Sequence, residues 1–212
     1  MRKFWRFLFW AAVVIGGVTG LARLVAIRWW KIPEDDPVLQ ASIAPTLRGG
    51  DLVLLWRATS PRYGDLVLCP EPEAPQRVVV ARILGEQGDD VAIRESNVVL
   101  NGKQSQTEHA CDSFEVNDPN QGSEVEQQCQ VEALAGHSHM RGSTAGHKVG
   151  PQPLDIEVPG GQVYLISDNR LFPYDSRDFG PVERSSCTET VVFRIVSRDG
   201  YFDQKNRFTF IQ

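Results

Sequence analysis

The sequence predicts a mainly β protein carried on one N-terminal transmembrane helix. Three observations predict it. A single long apolar stretch opens the chain, a series of short Val-, Ile- and Leu-rich runs separated by turn signals follows, and no amphipathic helical pattern of convincing length appears after the anchor. A chain of 212 residues, 42% of them hydrophobic, can bury one real core, so one main domain with an insert is expected. The net charge of -5 comes with no basic stripe, which speaks against nucleic-acid binding.

The run from Phe7 to Ile27 carries one charge, Arg23, and at ~1.5 Å per helical residue it reaches roughly the 30 Å of a bilayer core. Trp5, Trp10, Trp29 and Trp30 lie towards its two ends, where amphipathic rings favour the headgroup layer, and Arg23 is close enough to one end to snorkel. The run is long for a cleaved signal peptide and no Ala-x-Ala site follows, so residues 1–31 read as a retained anchor. Basic residues lie on both sides of the span, so they do not fix its orientation. Residues 32–37, with Pro33 and Pro37, read as a tether that discourages a continued helix, and the body is expected over 38–212.

Within the body, Asp51–Trp56, Asp65–Cys69, Arg77–Leu84, Val91–Arg94 and Val98–Leu100 read as strands. Gly50-Asp51, Gly64-Asp65 and Gly88-Asp89 supply the turns before apolar runs, and Glu95-Ser96-Asn97 reads as a hairpin loop. Residues 104–153 change character to Gln, Ser, Gly, His and Asp, which predicts a loop-rich insert of low regular structure. Strand character returns at Gln162–Ile166, Thr190–Val196 and Arg207–Ile211.

Cys111 and Cys129 are close enough in sequence for a disulfide if the body is exported, whereas Cys69 and Cys187 are expected to be small buried residues. No C-x-x-C pair occurs, and His109, His137, His139 and His147 lack ligand spacing within predicted elements. They read as exposed loop histidines, and no metal site or cofactor is expected.

Chemistry is suggested by Val38-Leu39-Gln40-Ala41-Ser42-Ile43-Ala44-Pro45-Thr46-Leu47, just after the anchor. A serine followed three residues later by a rigidifying proline can present a hydroxyl nucleophile at the membrane surface, or it can be an ordinary Ser-Pro loop. Three later stretches keep it company. They are Arg82-Ile83-Leu84-Gly85-Glu86-Gln87-Gly88-Asp89, Val98-Val99-Leu100-Asn101-Gly102-Lys103, and Val158–Arg170 followed by Asp175–Val182. In that order they resemble the S-x-x-P-T, R-V-I-G-x-P-G-D, I-N-G-K, G-D-N-R and D-S-R boxes of the type I signal peptidases. These are membrane-anchored serine endopeptidases that remove signal peptides from exported preproteins.

The resemblance implies a coiled β-sheet body whose apolar surface sits against the lipid bilayer, on the outer side of a bacterial-type cytoplasmic membrane. It implies Ser42 as nucleophile, with its N–H and the Gln40 amide as oxyanion donors. Pro45, Thr46, Arg82, Asp168, Asn169, Arg170, Asp175, Ser176 and Arg177 would support the site. The family's general base is a lysine directly before the arginine of its second box, and here that position is Ala81. A methyl group accepts no proton, and Arg82 stays protonated. The linker serine that usually holds the lysine is Pro173. Two function classes follow. One is a serine endopeptidase impaired or inactive for want of its base; the other is a non-catalytic relative that binds signal peptides or a partner peptidase. Ala81 introduced deliberately, to trap substrate, is a third way to read the same residue.

Overall fold

The computed structural model describes residues 2–94, 97–134, 136–143 and 154–211. The predicted loop residues Glu95 and Ser96, and His147, lie outside them. Helix α1 spans Arg2–Val25 and is exposed along its apolar window Lys3–Leu21, as expected of a helix whose solvent is lipid. The expected span is corrected at its far end. Ile27–Lys31 is not anchor but strand β1, pairing antiparallel with β2, Leu52–Trp56. β-Branched and aromatic residues suit that pairing, and Arg28 is tied to Glu189 at 3.3 Å.

After α2, Pro37–Ile43, come β3 (Leu66–Pro70), β4 (Val78–Glu86), β5 (Asp90–Arg94), β6 (Asn97–Leu100) and β7 (Lys103–Gln104). The insert supplies β8 (Gln106–Asn117), β9 (Glu124–Leu134) and β10 (His137–Ser143). The chain closes with β11 (Leu154–Glu157), β12 (Gln162–Ile166), helix α3 (Ser176–Phe179), β13 (Val182–Glu183), β14 (Glu189–Val196) and β15 (Thr209–Phe210). The main sheet runs β1-β2-β14-β3-β4-β12-β13, with β15 on β14, and β11-β5-β6-β7 forms a second sheet.

The three Gly-Asp turns share one construction. Gly50, Gly64 and Gly88 have φ between 83° and 95°, a conformation that costs glycine nothing. Asp51, Asp65 and Asp89 then accept the N–H three residues earlier, at 3.0, 2.8 and 2.8 Å. Each turn therefore closes on its own carboxylate before the next strand begins.

Alternation along β4 assigns its two faces. Val80 packs with Leu39, Ile43, Leu47, Leu66 and Leu68, and Ala81 packs on the other side with Val67, Cys69, Val79, Ile83 and Leu165. Gly85 lets β4 bend against the second sheet, since a Cβ there would lie 2.6 Å from Val91 Cγ2.

Two sequence expectations are corrected here. The insert is a three-stranded antiparallel sheet, β10-β9-β8, closed across its middle by Cys111–Cys129. Its polar composition reflects faces that meet water or other polar groups, not a lack of pairing. Cys69 and Cys187 are buried but bonded to each other, joining the end of β3 to the turn before β14 across 118 residues of sequence.

Candidate active site

The sequence builds α2 from its ends. Asp36 caps it, accepting the Leu39 N–H at 2.9 Å, and Pro37 occupies the first turn, where its missing N–H costs nothing. The helix carries Ser42 into the protein with no solvent exposure at all. The Ser42 hydroxyl donates to the Leu39 carbonyl at 3.0 Å, and the Ser42 carbonyl accepts the Asn169 N–H at 3.0 Å. The Ser42 box is thereby tied to the D-N-R loop. Val38 and Ser42 are four residues apart and share a helix face, and Val38 packs on the cluster that contains Ala81. The helix that carries Ser42 thus meets, through Val38, the same apolar cluster as Ala81.

Thr46 donates to Asp168 at 2.5 Å, and Arg82 grips the same carboxylate through Nε at 2.7 Å and Nη2 at 3.1 Å while reaching the Gly64 carbonyl at 3.1 Å. This bidentate pair is almost fully enclosed and keeps the loop in one register. Asp175 caps α3 and pairs with Arg177 at 2.9 and 2.7 Å, and it also accepts the Ser167 N–H at 2.6 Å. Burial alone would raise the Asp175 carboxyl, but Arg177 and these N–H groups hold it below the usual range. Ser176 accepts the Leu165 N–H at 2.9 Å, and Asn169 accepts the Leu171 and Phe172 N–H groups at 3.0 and 3.1 Å.

The structure therefore brings Ser42, Thr46, Arg82, Asp168, Asn169, Arg170, Asp175, Ser176 and Arg177 together. Pro45, half-buried and preceded by a cis peptide, follows the serine. Gln40 lies on the same helix, and one of the two N–H groups of its amide donates to the Glu34 carbonyl at 2.7 Å.

No lysine or histidine amine among the described residues hydrogen-bonds Ser42. Lys31 and Lys205 are paired with Glu34 and Asp112. His139, expected in an exposed loop, is instead enclosed, with Nε2 3.4 Å from both Glu132 and Arg170.

The insert was the part of the site that the sequence reading missed. Arg170 hydrogen-bonds Glu132 of β9, and Arg141 of β10 lies 3.5 Å from the same carboxylate. Gly142 forms a parallel bridge with Asn169, its N–H donating to the Asp168 carbonyl at 2.9 Å and its carbonyl accepting the Arg170 N–H at 3.0 Å. The signal was present as alternation, because Gln130 and Glu132 on β9 share a face with Arg141 and His139 opposite them.

The chain is similar to signal peptidase I V of Bacillus subtilis (strain 168), 24% identical over 162 residues that span 74% of this chain and 82% of that one. A signal peptidase I crystal structure from Enterococcus faecalis V583 aligns with a TM-score of 0.42 and 18% identity, over 63% of this chain and 97% of that chain. The family model described as signal peptidase, peptidase S26, matches residues 5–196, a range that holds most of α1, the Ser42 box and the Arg82–Asp168 and Asp175–Arg177 pairs. The chain accordingly belongs to the signal peptidase family, peptidase S26.

Proposed function

We propose that this chain engages the signal peptides of exported preproteins at the outer face of a bacterial-type cytoplasmic membrane, with the family's endoproteolytic step impaired or absent. Family membership supports the substrate class, and the exposed apolar helix supports the membrane. Two disulfides support an oxidising compartment for the body. A binding edge is also available. β12 pairs with β4 only from Arg82 onward, so β12 leaves the Val78–Ala81 side of β4 unpaired beside α2, and an extended peptide can add there as a strand.

The observation that carries the loss of chemistry is the setting of Ser42. Its hydroxyl is buried and bonded to Leu39, and the family's base position is a methyl group in an apolar cluster. An unassisted serine hydroxyl is a weak nucleophile at neutral pH. The same observation favours the second reading, a non-catalytic relative that holds signal peptides or a partner peptidase in this groove.

The test uses the full chain in detergent with a signal-peptide-bearing substrate. Cleavage should match a Ser42→Ala control, because loss of one member of a catalytic unit costs about 10⁴- to 10⁶-fold. Ala81→Lys should restore measurable but partial cleavage, since Pro173 cannot orient the new amine and a misplaced base loses ~10²-fold. Efficient cleavage by the unmodified chain that disappears on Ser42→Ala would overturn the reading.

A further inference from the structure

The D-N-R loop is held from two sides. Arg82 and Thr46 grip Asp168 from the main sheet and the nucleophile box. From the other side come Glu132, which binds Arg170, and the Gly142 backbone, which bridges Asn169. The middle residue of the loop then donates its N–H to the Ser42 carbonyl. A continuous path of short contacts therefore runs from β9 of the insert to the backbone of the serine.

We propose that Glu132 is a positioning residue for the Ser42 site, acting through Arg170 and the Gly142–Asn169 bridge. The inserted sheet is then a working part of the site and not an appendage to it. This rests on the reading that the Ser42 box and the D-N-R loop form the peptide-engaging centre.

Three features support the role. Glu132 is almost fully buried, and so is the Arg170 side chain that it meets, so neither charge has water to fall back on, and Arg170 relies on this carboxylate for its charge partner. Arg170 also donates to the Ser167 carbonyl at 3.1 Å, so its position is transmitted to the strand end from which the loop springs. Finally, Gly142 leaves no room for a side chain: a Cβ would lie 2.6 Å from Phe114 Cζ and 2.9 Å from Gln127 Oε1. Gly142 is thus seated tightly on β8 and β9 of the insert, while its backbone alone reaches the loop. Burial alone would raise the Glu132 carboxyl, but Arg170, His139 and Arg141 hold it well below the usual carboxylate range, so it meets Arg170 as an anion.

The test is amide hydrogen exchange on the full chain in detergent, alongside binding of a fluorescent signal peptide. In Glu132→Gln the Asn169 and Arg170 amides should exchange at least about tenfold faster, while Leu55 and Val191 in the main sheet keep their rates. Peptide binding should weaken by about tenfold. Glu132→Asp should recover much of both. Should Glu132→Gln fail to fold, Gly142→Ala applies the same criterion without removing a charge, because its Cβ would disturb the seat of β10 on Phe114 and Gln127 and with it the backbone bridge to Asn169. Unchanged exchange at Asn169 and Arg170, or an equal rise across β2 and β14, would overturn the proposal. Failure of the unmodified chain to bind peptide would instead sink the functional reading and leave the exchange criterion standing.

Discussion

Removing the carboxylate at position 168 leaves Arg82 charged, buried and without its main partner, so a single atom change at this residue has a large expected effect. The Arg82 and Asp168 side chains are 3% and 0% exposed, which puts the pair in the class where breaking one member costs about 3–5 kcal/mol. Asp168→Asn should lower stability by about that amount in chemical denaturation of the detergent-solubilised chain. Replacing both residues together, as Arg82→Met with Asp168→Leu, should recover most of the loss, because the cost lies in the orphaned charge and not in the absence of the pair. Equal losses in the single and double variants would show that the pair contributes net stability itself. At this scale the sequence was informative, since Arg82 and Asp168 sit in boxes recognisable by order. It was uninformative about Gln40, whose neighbour across the turn, Glu34, takes the amide for backbone bonding.

Strands β2 and β3 of the main sheet were legible as elements because each is short, apolar and introduced by a Gly-Asp turn. The helix carrying Ser42 was not, because seven residues are too few to show a 3.6-residue period. The insert failed for a different physical reason. Its strands bury polar side chains such as Gln127, Glu132 and Arg141, so the usual apolar alternation is replaced by a polar one that resembles a loop. That buried polar face makes a pH prediction. His139 is held below its usual value by burial and by the Arg82 and Arg170 charges, against the pull of Glu132 and Asp168. It is neutral in the fold, whereas an unfolded chain takes up the proton near pH ~6.5. Stability should therefore fall as pH drops below that point, because the unfolded state binds more protons. Glu132, held low chiefly by Arg170 and His139 against burial, with Arg141 adding to the effect, contributes stability present above ~4.5 and lost as pH falls through its folded value. The thermal midpoint should thus decline between pH 7 and 5, and His139→Gln should flatten that part of the curve. An identical slope in the variant would remove His139 from the account.

For the molecule as a whole, the register of the main sheet lines up one further feature. Trp29 on β1 faces Leu54 on β2, Leu54 faces Phe193 on β14, and Phe193 faces Phe210 on β15, so an aromatic row crosses the sheet from the strand that follows the anchor. Tyr201 and Phe208 extend it, with Arg207 over the Tyr201 ring at 4.7 Å. Phe202 and Phe210 are 91% and 78% exposed, a poor arrangement in water but a natural one at a lipid interface, where rings and basic side chains meet headgroups. The row starts beside α1, so anchor and sheet can engage the same leaflet. Because α1 meets the described body mainly at β1, the body from residue 27 onward should fold without it. Its partition onto lipid vesicles can then be measured alone. Burying a Phe side chain is worth about 1.5–3 kcal/mol, so replacing Phe202 and Phe210 by Ser should lower vesicle binding of that body by at least about tenfold while leaving its fold intact by circular dichroism. Vesicle binding that ignores both substitutions would mean that α1 alone holds the protein to the membrane, and that the aromatic row faces something other than lipid.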